Sequence, residues 1–202
     1  MRPARVDGMI VGVGMLGRAR HLLDRLRGLV DHPNIYIFPE FFDSKKELIE
    51  RRYATYVQRL LRYRDRVVIA LWPDYLYVDR FSLCKMDIVW VFPIHYLSEF
   101  EKLPRCIEVV GYAADPKYRE YRLEQFIDVA RERGFAMWWL GASKREIGIA
   151  TALGFWGLDV NTGSTGLPFR AIRSPEFPRL FADFLYRVAN NEYRSGVLLK
   201  WI

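Results

Sequence analysis

Seven short apolar runs of four to six residues recur along this chain and set the terms on which it can fold. They are Met9–Val13, Ile35–Phe38, Val67–Trp72, Ile88–Phe92, Ile107–Val110, Ala136–Leu140 and Phe155–Leu158. Each is continuous rather than alternating, which is how strands read when both faces of a parallel sheet are covered. Helical patterns fill several of the gaps. Ser44-Lys45-Lys46-Glu47 forms a capping box, in which hydroxyl and carboxylate each satisfy a free backbone N–H. Behind it, Tyr53, Tyr56, Val57, Leu60 and Leu61 follow the three-four spacing of one buried face. A second helix is expected to open at Asp115-Pro116, to bury Leu123, Phe126, Ile127 and Ala130, and to stop at Gly134. A third repeats the box as Ser143-Lys144-Arg145-Glu146 and ends at Gly154. The last, from Ser174-Pro175, carries Phe177, Leu180, Phe181, Phe184, Leu185 and Val188.

Strands alternating with helices require right-handed crossovers and a parallel sheet, either doubly wound and open or closed into a barrel. A full barrel takes about 250 residues, and this chain has 202. Either way the fold expected is α/β, and a barrel of this length would be a compact TIM-like (β/α) barrel, incomplete for want of a regular eighth strand. One domain over 1–202 is expected, with a C-terminal helix at about 175–192.

The formal charge of +7 favours contact with phosphate backbones. The scarcity of Asn and Gln beside abundant Arg and Glu is also a pattern of proteins from hot organisms. Cys84 and Cys106 stand far apart without a CxxC or CxH partner, a spacing that supports neither a disulfide framework nor a zinc site. No apolar run reaches the roughly 18–20 residues of a membrane span, and no signal segment follows the charged start. A cytoplasmic protein without a membrane partner is expected.

In parallel α/β folds, functional groups gather beyond the carboxyl ends of the strands. Here those ends run into Glu40, Asp74, His95, Gly111-Tyr112, Gly141-Ala142-Ser143, and Asp159 with Asn161. Three carboxylates and a histidine on one rim would suit proton transfer and covalent catalysis. The same side chains serve equally as helix caps or salt-bridge partners.

Residues 137–164 contain Trp139-Leu140-Gly141, a capped helix ending Ala152-Leu153-Gly154, and a strand delivering Asp159. This stretch resembles the tRNA-guanine transglycosylase superfamily and its shorter relatives that act on DNA. The resemblance implies a (β/α) barrel that exchanges a guanine-type base in tRNA or DNA, with Asp159 as nucleophile. Glu40 (or Asp43) would stand in for the acid/base, Asp74 would recognise the base, and Gly111-Tyr112 would contact it. Gly141, Ser143 and Asn161 complete the substrate-binding set, and His95 is a candidate proton carrier. The zinc site of the tRNA enzymes is missing, so this reading calls for no metal and no cofactor. Nucleic acid and a guanine-type base are the partners it implies, and a homodimer is compatible with it. Aromatic walls at Tyr112, Trp139 or Trp72 and a basic rim at Arg52, Arg59 and Arg66 would suit a base drawn out of its stack.

A rival reading starts from Gly12-Val13-Gly14-Met15-Leu16-Gly17, a GxGxxG pattern between a strand and a helix at about Arg18–Val30. Gly12, Gly14, Gly17 and Arg18 would then hold a phosphate at a helix N-terminus, and Glu40 would meet the ribose of a dinucleotide. A third reading has Glu40, Asp74, His95 and Asp159 binding a divalent ion, without an HxH or HExxH spacing behind it. A fourth is a non-catalytic barrel that binds nucleic acid or serves as a subunit in an assembly.

Overall fold

The computed structural model describes residues 8–13, 20–37, 50–62, 68–79 and 82–193. Seven strands lie among them: β1 Ile10–Val13, β2 Ile35–Ile37, β3 Ile69–Leu71, β4 Val89–Ile94, β5 Val109–Ala113, β6 Ala136–Leu140 and β7 Gly157–Val160. All seven expected strands are present. They join in the order β2-β1-β7-β6-β5-β4-β3, and β1–β2, β1–β7, β3–β4 and β4–β5 run parallel. This is the cyclic order of a (β/α) barrel interrupted between β2 and β3. A doubly wound sheet would instead reverse direction at a switch point.

The helices are α1 Arg20–Arg27, α2 Glu50–Arg62, α3 Leu123–Glu132, α4 Lys144–Ala152, α5 Phe169–Ile172 and α6 Phe177–Ala189. By packing, the chain divides into two compact units, one within Pro39–Trp138 and the other within Arg5–Phe38 and Trp139–Ile202.

In the unit that holds β3, β4 and β5, the core is built on indoles. Trp72 and Trp90 meet edge to face at 5.3 Å, and each indole N–H is satisfied by a carbonyl, of Leu76 and Leu83 respectively. Pro93 sits inside β4, where a missing N–H would ordinarily break a ladder. The register explains why it is tolerated. Val89 donates to Val68 and Val91 accepts from Trp72, so alternate residues of β4 bond towards β3. β3 ends at Leu71, before it would need the N–H of Pro93.

In the unit that holds β1, β2 and β7, α6 packs on β1, β2 and α1. Its Phe177, Phe181, Phe184, Leu185 and Val188 are buried at helical spacing, and Pro178 occupies its first turn, where no N–H is needed. The helix's carboxyl end is seated by Gly8, whose φ is +105°. A Cβ there would come within 2.5 Å of the Ala189 carbonyl, which accepts a hydrogen bond from the Met9 N–H.

Four expectations are corrected. Asp115-Pro116 opens a single 3-10 turn, Pro116–Tyr118, with the Asp115 carboxylate accepting from the Lys117 N–H. The helix itself starts at Leu123, because residues 119–121 are drawn onto the ends of β4 and β5. There the Glu120 N–H bonds to the His95 carbonyl, and the Tyr121 hydroxyl to that of Ile94. Leu61 and Leu180, expected on buried faces, are 51% and 44% exposed. β7 lies two residues later than the apolar run suggests, so Asp159 is inside the strand and not beyond it.

Finally, Cys84 and Cys106 form a disulfide with their Cα atoms 5.4 Å apart. They are 22 residues apart in sequence, but they lie on the segments that lead into β4 and β5. Adjacent parallel strands begin at the same edge of the sheet, so one β-to-β repeat returns the chain to its starting side. The Ser44–Glu47 box lies outside the described residues.

Candidate functional site

The richest polar cluster belongs to the β3–β5 unit. β3 ends in a turn, Pro73–Leu76, closed by the Leu76 N–H on the Pro73 carbonyl at 3.2 Å. Within it Tyr75 takes φ +59°, a conformation usually left to glycine and costly for a bulky residue. The strained backbone turns the Tyr75 ring onto the His95 imidazole, stacked at 4.7 Å between centroids. His95 follows β4 directly, is 8% exposed, and lies between two carboxylates. Its Nε2 is 3.9 Å from Asp74 Oδ1 and its Nδ1 is 3.6 Å from Glu99 Oε2.

Glu99 ties this arrangement together. It is 1% exposed and comes from the 3-10 turn Leu97–Glu101. Oε2 accepts from the His95 N–H at 2.5 Å and the Tyr96 N–H at 3.1 Å, and Oε1 accepts from the Tyr77 hydroxyl at 2.7 Å. Burial works against its ionisation, but contact with His95, the two N–H groups and the Tyr77 hydroxyl outweigh that and hold its carboxyl below the ordinary value. The same partnership, after burial, raises Tyr77, while burial and then the Asp74 charge raise Tyr75. Both phenols therefore remain protonated donors.

Beside this cluster opens a cleft of about 670 Å³ lined by Tyr75, His95, Tyr96, Lys117, Tyr118, Arg119 and Glu120. Its 117–120 wall is fastened to the strand ends, since Arg119 Nε donates to the Ala113 carbonyl at 2.9 Å. Gly111 and Tyr112 lie within β5. Tyr112 is 3% exposed and packs on Phe126 of α3, so its ring belongs to the strand–helix interface. Trp72 and Trp139 are buried likewise. The aromatic walls are instead Tyr75, Tyr96 and Tyr118.

The β1–β7 unit holds a smaller set. The Asp159 Oδ2 accepts from the Gly141 N–H at 3.0 Å, and its carbonyl from the Ala142 N–H. Gly141 has φ +73°, which lets the chain after β6 turn its amide onto that carboxylate. Gly12 is the register partner of Asp159. Ser143 precedes α4, and its N–H donates to the Glu146 carboxylate, the expected half of a capping box. Asn161 accepts from the Gly163 N–H and closes its own turn.

Thus the structure brings Asp74 and His95 together, and Gly12, Gly141 and Asp159 together, while Ser143 and Asn161 organise local turns. Glu40, Asp43, Gly14, Gly17 and Arg18 lie outside the described residues, as do the side chains of Arg52, Arg59 and Arg66. Among the described residues no group of His, Cys, Asp and Glu has the geometry of a metal site. No described helix is long and apolar enough to cross a membrane. Sequence reasoning missed Glu99, Tyr75 and Arg119. The available signal for Glu99 was its position four residues after His95.

The chain is a (β/α)-barrel protein with a buried Asp74–His95–Glu99 cluster beyond the carboxyl ends of β3 and β4. Its kinship is viral: the chain is 37% identical over 134 residues to the uncharacterized protein ORF192 of Acidianus two-tailed virus, across 63% of this chain and 68% of ORF192, and belongs to that protein's family. No protein-family model matches the chain. Among solved structures, it is similar to an HpcH/Hpal aldolase/citrate lyase family protein from Burkholderia cenocepacia. That match has 10% identity and a TM-score of 0.47, over 94% of this chain and 96% of that one. It is also similar to a thiamine phosphate pyrophosphorylase from Bacteroides thetaiotaomicron, at 14% identity and TM-score 0.46, over 92% and 98%. Similarity at these levels concerns the backbone and carries no chemistry.

Proposed function

We propose that the chain is a nucleobase-directed acid–base enzyme in which His95 carries the proton. The observation that carries this reading is the buried imidazole set between Asp74 and Glu99 with one face on Tyr75. A carboxylate within 4 Å of each ring nitrogen stabilises the positive charge the ring gains on taking a proton, and the Tyr75 stack holds its plane. The Tyr75–His95 stack and the rings of Tyr96 and Tyr118 offer flat surfaces that suit a heterocycle. The test is to follow the His95 ring resonances by NMR while nucleobases and nucleosides are added, and to screen the same compounds for cleavage or exchange of the base. The reading expects the resonances to move with a bound base and turnover to vanish in His95→Gln. Unmoved resonances with every base would overturn it.

A second reading, base exchange in tRNA or DNA through a covalent aspartyl intermediate, is favoured by Asp159. Its carboxylate is oriented by the Gly141 N–H at the carboxyl end of β7, as a nucleophile attacking a sugar carbon requires. The surplus of positive charge suits a polyanionic partner. Labelled guanine or 7-deazaguanine entering tRNA or duplex DNA, and failing to enter with Asp159→Ala, would support it. Well-folded protein that incorporates label into neither polymer would sink it. The cytoplasmic setting belongs to this proposal too, and requires the Cys84–Cys106 bond to persist there, as disulfides do inside hyperthermophiles.

A further inference from the structure

The geometry points to Arg119 as the anchor for a phosphate carried by the ligand of the Tyr75–His95 cleft, so that the ligand is a nucleotide unit and not a free base. This rests on the acid–base reading of that cleft and names its substrate class. Arg119 is half-buried on the cleft wall. Its Nε donates to the Ala113 carbonyl at 2.9 Å, its Nη1 to the Tyr121 carbonyl at 3.3 Å, and its guanidinium carbon lies 4.8 Å from the Tyr112 ring centroid.

All three partners are neutral. Among the described residues, no carboxylate makes an ion pair with this guanidinium. The nearby Asp115 is engaged by Lys117 at 2.7 Å. Glu120 also lines the cleft, but its exposed side chain is screened by water. A guanidinium held rigid through Nε and Nη1, near the Asp115 carboxylate but in ion-pair contact with none, is preorganised for an oxyanion. The two carbonyl bonds take one N–H each from different sides of the guanidinium, leaving the Nη2 N–H groups for the ligand. Lys117, 4.6 Å over the Tyr118 ring, shares the wall with its charge met by Asp115. A heterocycle against Tyr75 or Tyr118 and a phosphate on Arg119 would use the polar and the aromatic lining of the cleft together.

The source of the phosphate can be a free nucleotide or a nucleic-acid strand, and the test separates them. Binding of AMP and GMP, their nucleosides, and a single-stranded trinucleotide is measured by calorimetry, with inorganic phosphate as competitor. The monophosphates or the trinucleotide should bind about ten- to a hundredfold more tightly than the nucleosides, the range lost with a hydrogen bond to a charged group. Arg119→Met should bring them down to the nucleoside level. Arg119→Lys, which keeps the charge but not the fork, should fall between.

Because Arg119 also braces the 119–121 segment, the wild-type protein supplies an independent check: added salt and inorganic phosphate should weaken nucleotide binding and leave nucleoside binding alone. A preference for the monophosphates assigns a free nucleotide, and a preference for the trinucleotide assigns a strand. Equal affinity for nucleotide and nucleoside in the wild type, or no binding of either, overturns the anchor. Arg119-dependent nucleotide binding that leaves the His95 resonances unmoved would uphold the anchor and reject the acid–base reading alone.

Discussion

The two compact units solve the problem of an interior in different ways. The β1–β7 unit is held by hydrocarbon: α6 lays a row of stacked phenylalanines, Phe177, Phe181 and Phe184, over a parallel ladder. Among the described residues its strands carry one carboxylate, Asp159, half-buried near the end of β7. The β3–β5 unit buries Asp74, His95 and Glu99 outright and carries the disulfide. Burying charge costs stability unless every group is matched, so that unit holds groups its core does not need. The difference teaches where chemistry is to be sought.

The comparison can be broken or sharpened by substitution. Phe181→Ala should cost the most, about 3–5 kcal/mol, seen as a shifted urea midpoint. A loss below about 1 kcal/mol would mean that the phenylalanine row does not carry its unit. Reducing the disulfide, or the double change Cys84→Ser with Cys106→Ser, should cost about 3 kcal/mol, the loop-closure entropy of that separation. Its signature is a melting temperature that falls with added reductant in the wild type only.

Glu99→Gln should cost about 1.5–3 kcal/mol, because it replaces charge-assisted hydrogen bonds. The folded carboxyl lies below its ordinary 4.5, so the unfolded chain binds the extra proton. The stabilisation is therefore complete above about pH 4.5 and is lost as pH falls through the folded value. Glu99→Gln should flatten that acid limb, and an unchanged limb would count against the clamp.

Gly141→Ala should cost about 1–2 kcal/mol from its left-handed backbone alone, since a Cβ there meets nothing within 4 Å. Tyr75→Gly should move stability least, by under about 1 kcal/mol, as relief of strain offsets loss of the stack. Binding of nucleobases should nevertheless collapse. Destabilisation well beyond that range would make Tyr75 a core residue and blunt the contrast between the units.

Much of the fold was legible because continuous apolar runs have few other uses. Ile-Val-Gly-Val at 10–13 and Val-Trp-Val-Phe-Pro-Ile at 89–94 can hardly be anything but covered strands. Asp74 and His95 were legible for the same reason, as the polar residues on which two such runs end. Glu99 was not: in sequence it is one acid in a polar connection, and only the 3-10 turn folds it back on the strand end. Tyr75 was hidden among many aromatics, and a positive φ leaves no mark on a tyrosine's neighbours. The disulfide was missed because spacing in sequence carries no information about which strands begin side by side.

The bonds that fix His95 to Glu99 all fall within five consecutive residues, apart from the Tyr77 hydroxyl. This piece of the site is accordingly a heritable cassette, a histidine and a glutamate on one short genetic segment that recombination would move whole. Asp74 arrives on the turn after β3 and answers to different mutations. Drift in the family of ORF192 should therefore tune what faces the outer nitrogen of the imidazole first, and leave its inner partner in place.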